Sequence, residues 1–346
     1  PWPLLVWLVV SWGTLIGSRR RHIVQALSLP VATIALYVAV AWVLFTTKSI
    51  VLPLAIPVLG LLSIHIGKVV VEWIEGVFEE RRVAAELGRV REARKLLEQE
   101  LEIARDIQFS TLPRTFPPFP ERPEIDLHAI MIPAKYVGGD LYDFFFVDNT
   151  KLFFVIGDVS GKGVPAALFM TMALAVIRSH VIAGRSPAET LQRSNDVLSL
   201  RNERCTFVTI FCGLLDIATG HVRYANGGHN PPVFMDGDGG VSFLESEGTA
   251  IGAIEGLQFE ERELVLKPDQ GLFLYTDGVT EAIDHAKELF QEKRLTSALS
   301  VRHGSMTAEE ITARLQAQLS AFVGDAPQFD DITALALFYH GQPGSS

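Results

Sequence analysis

Residues 151–170 read KLFFVIGDVSGKGVPAALFM. The first part is an apolar, aromatic and β-branched run, which is typical of a buried strand. Asp158 stands at the end of that run, beside glycines. From about residue 164 to about 182 the pattern is helical. The stretch therefore predicts a strand, a carboxylate at its end, and a helix that follows directly.

Three other segments also join an apolar β-like run to aspartate: VGGDLYD with Asp140 and Asp143, YTDGVTEA with Asp277, and FDDIT with Asp330 and Asp331. Each segment alone is an ordinary turn pattern, because Asp-Gly and Gly-Asp are common turn formers. Their joint occurrence at strand ends favours a metal site. Divalent cations such as Mg²⁺ prefer oxygen ligands, and clustered carboxylates without cations repel one another.

Beyond residue 124 the chain carries runs of short β-like segments, with helical stretches at about 164–182, 187–200 and 308–323. Strands come in runs with helices grouped among them, rather than in strict alternation. This arrangement predicts an α+β fold, namely a two-sheet antiparallel β-sandwich flanked by helices.

The motifs, taken in order, resemble a known family. They are EIARDIQFSTLP, PAKYVGGDLYD, GDVSGKGVPAALFM, NGGHNPP, LYTDGVTEA and FDDITALAL, over roughly residues 100–340. Together they resemble the SpoIIE/RsbU-like branch of the metal-dependent (type 2C, PPM) serine/threonine phosphatases. The resemblance implies a sandwich of two antiparallel sheets with two Mn²⁺ or Mg²⁺ ions between them, where a water between the ions attacks phosphorus in line.

The same resemblance implies roles for individual positions. Asp158 resembles the carboxylate shared by both ions, with the Val159 carbonyl beside it. Asp140 and Asp277 resemble further ligands, and the last ligand is expected from the late pair, Asp330 first and Asp331 as the alternative. The expected catalytic residues are the carboxylates Asp140, Asp158, Asp277 and Asp330.

Three residues depart from the family pattern. Ser160 stands where eukaryotic relatives carry a histidine, so an obvious general acid is missing and water is expected to protonate the leaving group. Lys135 and Tyr136 stand where the family usually shows Arg-Glu, and Lys135 is a candidate to contact substrate phosphate. His229, in GGHNPP, favours a structural turn over a metal ligand.

The first part of the chain differs in composition from the rest. Residues 1–71 contain five Lys/Arg and no Asp or Glu, whereas the remainder holds all 40 acidic residues. An acidic remainder argues against nucleic-acid binding, which needs a basic surface. Because the chain begins with Pro1 in an apolar run, we expect it to be part of a longer protein.

Three apolar runs, at about 1–18, 23–46 and 50–71, have the length of membrane spans. Buried core helices are the alternative interpretation. Arg19, Arg20 and Arg21 between the first two runs should stay cytoplasmic. We therefore expect a multi-pass protein of the cytoplasmic (inner) membrane, with spans in residues 1–71, a helical linker in 72–112 and a cytoplasmic phosphatase domain in 113–346.

The linker sequence from Val83 to Gln108 is rich in Glu, Arg, Leu and Ala and carries a heptad seam with two polar interruptions. It predicts either a coiled coil that forms a homodimer or a single amphipathic helix packed on its own domain.

The predicted function is hydrolysis of phosphoserine or phosphothreonine on a regulatory protein, by resemblance an anti-sigma-factor antagonist. The alternatives are a non-catalytic partner-binding signalling module and a two-metal phosphodiesterase or nuclease.

Overall fold

A computed structural model describes residues 32, 35–36, 38–48, 55–245, 247–301 and 306–342, with no side-chain description for 55–64. The chain divides into two units, residues 1–97 and 98–346. The helices are α1 Val38–Lys48, α2 Ala55–Ser110, α3 Val164–Ile182, α4 Pro187–Leu198, α5 Asp277–Thr280, α6 Gln291–Leu299 and α7 Ala308–Val323. The strands are β1 Ile125–Ile132, β2 Leu141–Phe146, β3 Lys151–Val159, β4 Val208–Asp216, β5 His221–Gly227, β6 Val233–Met235, β7 Val241–Phe243, β8 Arg262–Val265, β9 Gln270–Tyr275 and β10 Ile332–Tyr339.

The ten strands form two antiparallel sheets of five strands each. The first sheet has the order β1-β10-β9-β6-β7, and the second has the order β2-β3-β4-β5-β8. The predicted fold class is therefore confirmed. The helices predicted at 164–182, 187–200 and 308–323 are α3, α4 and α7.

Strand β10 shows why the sheets stack. Leu335 and Leu337 belong to the main hydrophobic core, which also holds β2 to β5, whereas Ala334 and Ala336 belong to the second core around α6 and α7. This division follows from the period of two in a strand, which sends alternate side chains to opposite faces. Fully burying each leucine stabilises the fold by roughly 1.5–3 kcal/mol.

Helices cover the outer faces of both sheets. Helix α3 packs against β2 and β3, and α4 packs against β4 and β5. Helix α7 packs against β1 and β10 and begins with a capping box, in which the Thr307 side chain accepts from the Glu310 amide and the Glu310 side chain accepts from the Thr307 amide. The helix start thus satisfies two amides that would otherwise lack partners.

Among the fully described helices, α3 is long and apolar enough to cross a membrane. Six of its seven buried residues, including Met170 and Ile177, belong to the main hydrophobic core. A core helix meets the same length and composition criteria, so α3 adds nothing to the membrane prediction.

The predicted membrane spans lie in residues 1–71 and do not include α3. The span at 1–18 is outside the described residues, as are most of 23–37 and all of 49–54. Of the other two spans, the described parts are helical: α1 and the beginning of α2. Helix α2 also includes the predicted linker helix from Val83 to Gln108. Membrane crossing and coiled-coil pairing both stay predictions.

Candidate active site

Asp140 immediately precedes β2 and is only 1% exposed. The Thr276 hydroxyl donates a 2.8 Å hydrogen bond to its Oδ2. Thr276 is itself tied to β10, because its amide donates to the Thr333 carbonyl and the Thr333 amide donates to its hydroxyl, both at 3.0 Å. Residues at the end of β9 and the start of β10, in the first sheet, therefore fix the side chain of Asp140, which leads into β2 of the second sheet.

Asp158 lies near the end of β3, and its Oδ1 would stand 3.5 Å from a Cβ placed on Gly139, the residue before Asp140. Burial and the charge of Asp277 raise the pKa of Asp158 to about 7. Burial and the charge of Asp158 raise the pKa of Asp140 well above its ordinary value. Two buried carboxyls that share one site cannot both ionise cheaply, so they retain a proton or gain a cation.

Asp277 begins the short helix α5, directly after β9. Its pKa is raised by burial and by the charges of Glu281 and Asp330. The neighbouring Gly278 packs so closely on the carbonyl oxygen of Asp331 that any side chain there would collide with it. Glycine is required because it lets these two segments meet backbone to backbone.

The two aspartates of the late pair have different environments. Asp331 accepts hydrogen bonds from the Ala134 amide at 2.8 Å and the Gly139 amide at 2.7 Å, one to each carboxylate oxygen. Asp330 instead forms an ion pair with Lys162 at 2.7 Å. Asp331 thus fixes the loop before Asp140. Asp330 instead has a carboxylate that could exchange Lys162 for a bound cation.

Val159 is buried, and a Cβ on Gly139 would stand 3.0 Å from the Val159 carbonyl oxygen. The GGD and GDV segments therefore approach each other through their backbones.

Lys135 is exposed and lines a groove of about 590 Å³ with Arg105, Tyr136 and Gly163. The structure thus places Lys135 at a neighbouring groove rather than among the carboxylates.

The five aspartates act on one another electrostatically, yet across the described ranges no three His, Cys, Asp or Glu side chains are arranged to hold a metal ion. The donor set nevertheless fits Mg²⁺ or Mn²⁺. It consists of carboxylate oxygens, the ligands that these ions prefer, and bound cations would offset the repulsion among buried like charges.

Three positioning residues were missed by sequence reasoning: Lys162, Thr276 and Gln108. In the sequence Lys162 stands between two glycines and Thr276 within the YTDG turn motif, and neither pattern predicts a contact with the carboxylates. In the sequence Gln108 is a polar interruption of the heptad seam, but in the structure its side-chain amide bonds the Gly138 backbone. No sequence signal identifies Gln108, because its burial at the end of a mostly exposed helix is visible only in the folded structure.

His229 lies within the fold, as expected for a structural turn. Its Nε2 donates to the Tyr275 carbonyl at 3.1 Å, and its Nδ1 faces the Thr209 hydroxyl at 2.9 Å. Ser160 is also used structurally, since its hydroxyl accepts from the Phe207 amide at 3.0 Å. Neither side chain is placed as a general acid.

Comparison with known proteins agrees with this geometry. The family described as "Stage II sporulation protein E (SpoIIE)" matches residues 148–340. Protein IcfG from Synechocystis sp. is 32% identical over 268 residues, which cover 69% of this chain and 41% of IcfG. Phosphoserine phosphatase RsbU from Bacillus subtilis is 28% identical over 242 residues, which cover 70% of each protein.

Among solved structures, the SiaA-PP2C domain of Pseudomonas aeruginosa superposes with a TM-score of 0.62 at 23% identity. The alignment covers 71% of this chain and 98% of that domain. At this identity the likeness shows the fold alone. It matches the two antiparallel sheets flanked by helices.

Proposed function

This chain belongs to the SpoIIE family, and from that premise we propose that it is a metal-dependent protein phosphatase acting on phosphoserine or phosphothreonine. The match confirms the resemblance drawn from the motifs. The observation that carries the proposal is that Asp140, Asp158, Asp277 and Asp330, which come from both sheets, lie near enough to act on one another electrostatically. A relative named as a phosphoserine phosphatase gives further support.

The proposed ligands are the carboxylates of Asp140, Asp158, Asp277 and Asp330 with the Val159 carbonyl. When bound, two Mn²⁺ or Mg²⁺ ions would supply positive charge to the phosphoryl oxygens and acidify a water for in-line attack. Asp331 is better suited to positioning, because both its oxygens already accept backbone amides. Water is the proposed proton source for the leaving group, since Ser160 is engaged with Phe207.

For the substrate we propose a phosphorylated regulatory protein of the anti-sigma-factor antagonist type. Lys135, exposed at the groove beside Gly163, would contact the substrate phosphate.

We further propose that residues 1–71 anchor the protein in the cytoplasmic membrane, with the phosphatase domain in the cytoplasm. The exposed seam residues Val83, Leu87 and Val90 on α2 support a homodimer through the linker helix.

The test is phosphate release by the full chain, with p-nitrophenyl phosphate and a phosphorylated protein as substrates, with and without Mn²⁺. We expect Mn²⁺-dependent turnover that Asp158→Asn abolishes. The matched control is Asp196→Asn, which removes a carboxylate from a surface ion pair with Arg193 on α4. Metal-independent turnover, or full activity of Asp158→Asn, contradicts the proposal, and preferential cleavage of bis-p-nitrophenyl phosphate would favour a phosphodiesterase.

A further inference from the structure

Lys162 lies between Gly161 and Gly163 in the loop that joins β3 to α3. Its ammonium makes three contacts with the segment that contains Phe329 and Asp330. It donates to Asp330 Oδ2 at 2.7 Å and to the Phe329 carbonyl at 2.8 Å, and it lies 4.1 Å from the Phe329 ring centroid. The lysine is therefore a cation held at the edge of the proposed metal site.

The contact uses the group that a metal ion would need. An ammonium at 2.7 Å from a carboxylate oxygen fills the coordination position of that oxygen. The charge of Lys162 also reaches Asp277, the neighbouring proposed ligand. If Asp277 and Asp330 held a divalent ion, Lys162 would compete with that ion for the Asp330 oxygen and its positive charge would disfavour ion binding.

We propose that Lys162 is a built-in counter-cation that competes with a divalent ion for Asp330 and is released when the ion binds. This inference rests on the proposed function, because it takes Asp330 as a ligand. In the structure the lysine ties residues 161–163 to residues 329–330. In the metal-loaded protein that tie is broken.

The surroundings allow the exchange. The Lys162 side chain is 33% exposed and the Asp330 side chain 27% exposed, so the freed ammonium can be rehydrated. Gly161 and Gly163 have φ values of +92° and +78° with open space around them, so the loop can change conformation without a clash. A partly exposed ion pair is weak, so competition by Lys162 should lower metal affinity only about five-fold, and removing the pair should restore that factor.

The experiment is an Mn²⁺ titration of the full chain, followed by the electron paramagnetic resonance signal of free Mn²⁺. We expect Lys162→Met to bind Mn²⁺ about five-fold more tightly than wild type. Lys162→Arg keeps the positive charge and should stay near wild type. Lys151→Met is the matched control, because Lys151 pairs with Asp148 at 3.5 Å on the distant β2–β3 turn.

The direction of the change separates this role from a purely structural one. If Lys162 only supported the loop, Lys162→Met would bind Mn²⁺ more weakly, and if it contacted only substrate phosphate, Mn²⁺ affinity would not change. Either result overturns the proposal. Lys162→Gln serves as a second uncharged variant should the methionine variant fail to fold.

The proposed function can be judged separately in the same titration. Wild type that binds Mn²⁺ and Asp158→Asn that does not would support the metal site. Unchanged affinity in Lys162→Met would then overturn only the counter-cation role. Wild type that binds no Mn²⁺ overturns both.

Discussion

Gln108 holds the backbone of Gly138 with both atoms of its side-chain amide. Its Nε2 donates to the Gly138 carbonyl at 2.6 Å, and its Oε1 accepts from the Gly138 amide at 3.1 Å. The next amide, of Gly139, is bound by Asp331. The loop that delivers Asp140 is therefore held from two sides, by the end of α2 and by the segment before β10.

Gln108→Ala should lower the free energy of unfolding by about 1–3 kcal/mol, because two buried backbone groups of Gly138 lose their partners. It should also lower turnover, since the loop before Asp140 is no longer fixed. Urea denaturation and phosphate release check both effects. Gln99→Ala, at an exposed position of the same helix, should change stability by less than about 0.5 kcal/mol. Equal effects of the two substitutions would contradict the loop-holding role.

Asp331→Asn should mainly reduce stability, whereas Asp330→Asn should mainly reduce Mn²⁺ binding. Asp331→Asn places an amide NH₂ against a backbone amide donor, so we expect a loss of about 1–3 kcal/mol in unfolding free energy. Asp330→Asn loses a partly exposed ion pair and should cost less than about 1 kcal/mol. Its main effect should be weaker Mn²⁺ binding.

Urea denaturation and Mn²⁺ titration of the two variants provide the measurement. Strong Mn²⁺ binding by Asp330→Asn together with its loss in a stably folded Asp331→Asn would reverse the two assignments.

Burial lowers the pKa of His229 from 6.5 to about 4. The folded protein keeps this histidine neutral, whereas the unfolded chain takes up a proton below pH 6.5. Stability supplied by the neutral ring is therefore complete above pH 6.5 and is lost as the pH falls towards 4, at up to about 1.4 kcal/mol per pH unit.

The carboxylates titrate in the same range, so the useful quantity is the difference from His229→Gln, which can keep a donor towards the Tyr275 carbonyl. The cost of this substitution should shrink between pH 7 and pH 4.5 in urea denaturation series. A cost that does not vary with pH would show that His229 is protonated equally in the folded and unfolded states.

Asp158→Asn should stabilise the metal-free protein at high pH. Burial raises the pKa of Asp158 to about 7, so the folded state favours the protonated carboxyl. The contribution of protonated Asp158 to the free energy of unfolding is present at low pH and is lost as the pH rises from about 4 to 7. At pH 8 in EDTA we expect the variant to gain roughly 1–3 kcal/mol over wild type, and to show little gain at pH 5.

Thermal or urea unfolding at the two pH values checks this expectation. Asp196→Asn again serves as the control and should show no such pH dependence. A loss of stability in Asp158→Asn at pH 8 would mean that the carboxylate is already compensated in the absence of metal.

The sequence determined the local features of this protein. The run from Lys151 to Met170 predicted a strand, a terminal carboxylate and a helix, and β3, Asp158 and α3 follow that order. Local patterns suffice here because alternation and helical spacing act over a few residues. The motifs likewise sufficed to recognise the family, because each keeps its own spacing along the chain.

Only the tertiary structure distinguished residues that look alike in sequence. Asp330 and Asp331 are adjacent, yet one faces Lys162 and the other binds the amides of Ala134 and Gly139. Gln108 appears as a defect in a heptad until the fold brings Gly138 against it. These roles depend on contacts between residues 30 to 197 positions apart. Hydrogen-bond geometry at such separations is set by how the sheets pack, and no spacing along the chain encodes it.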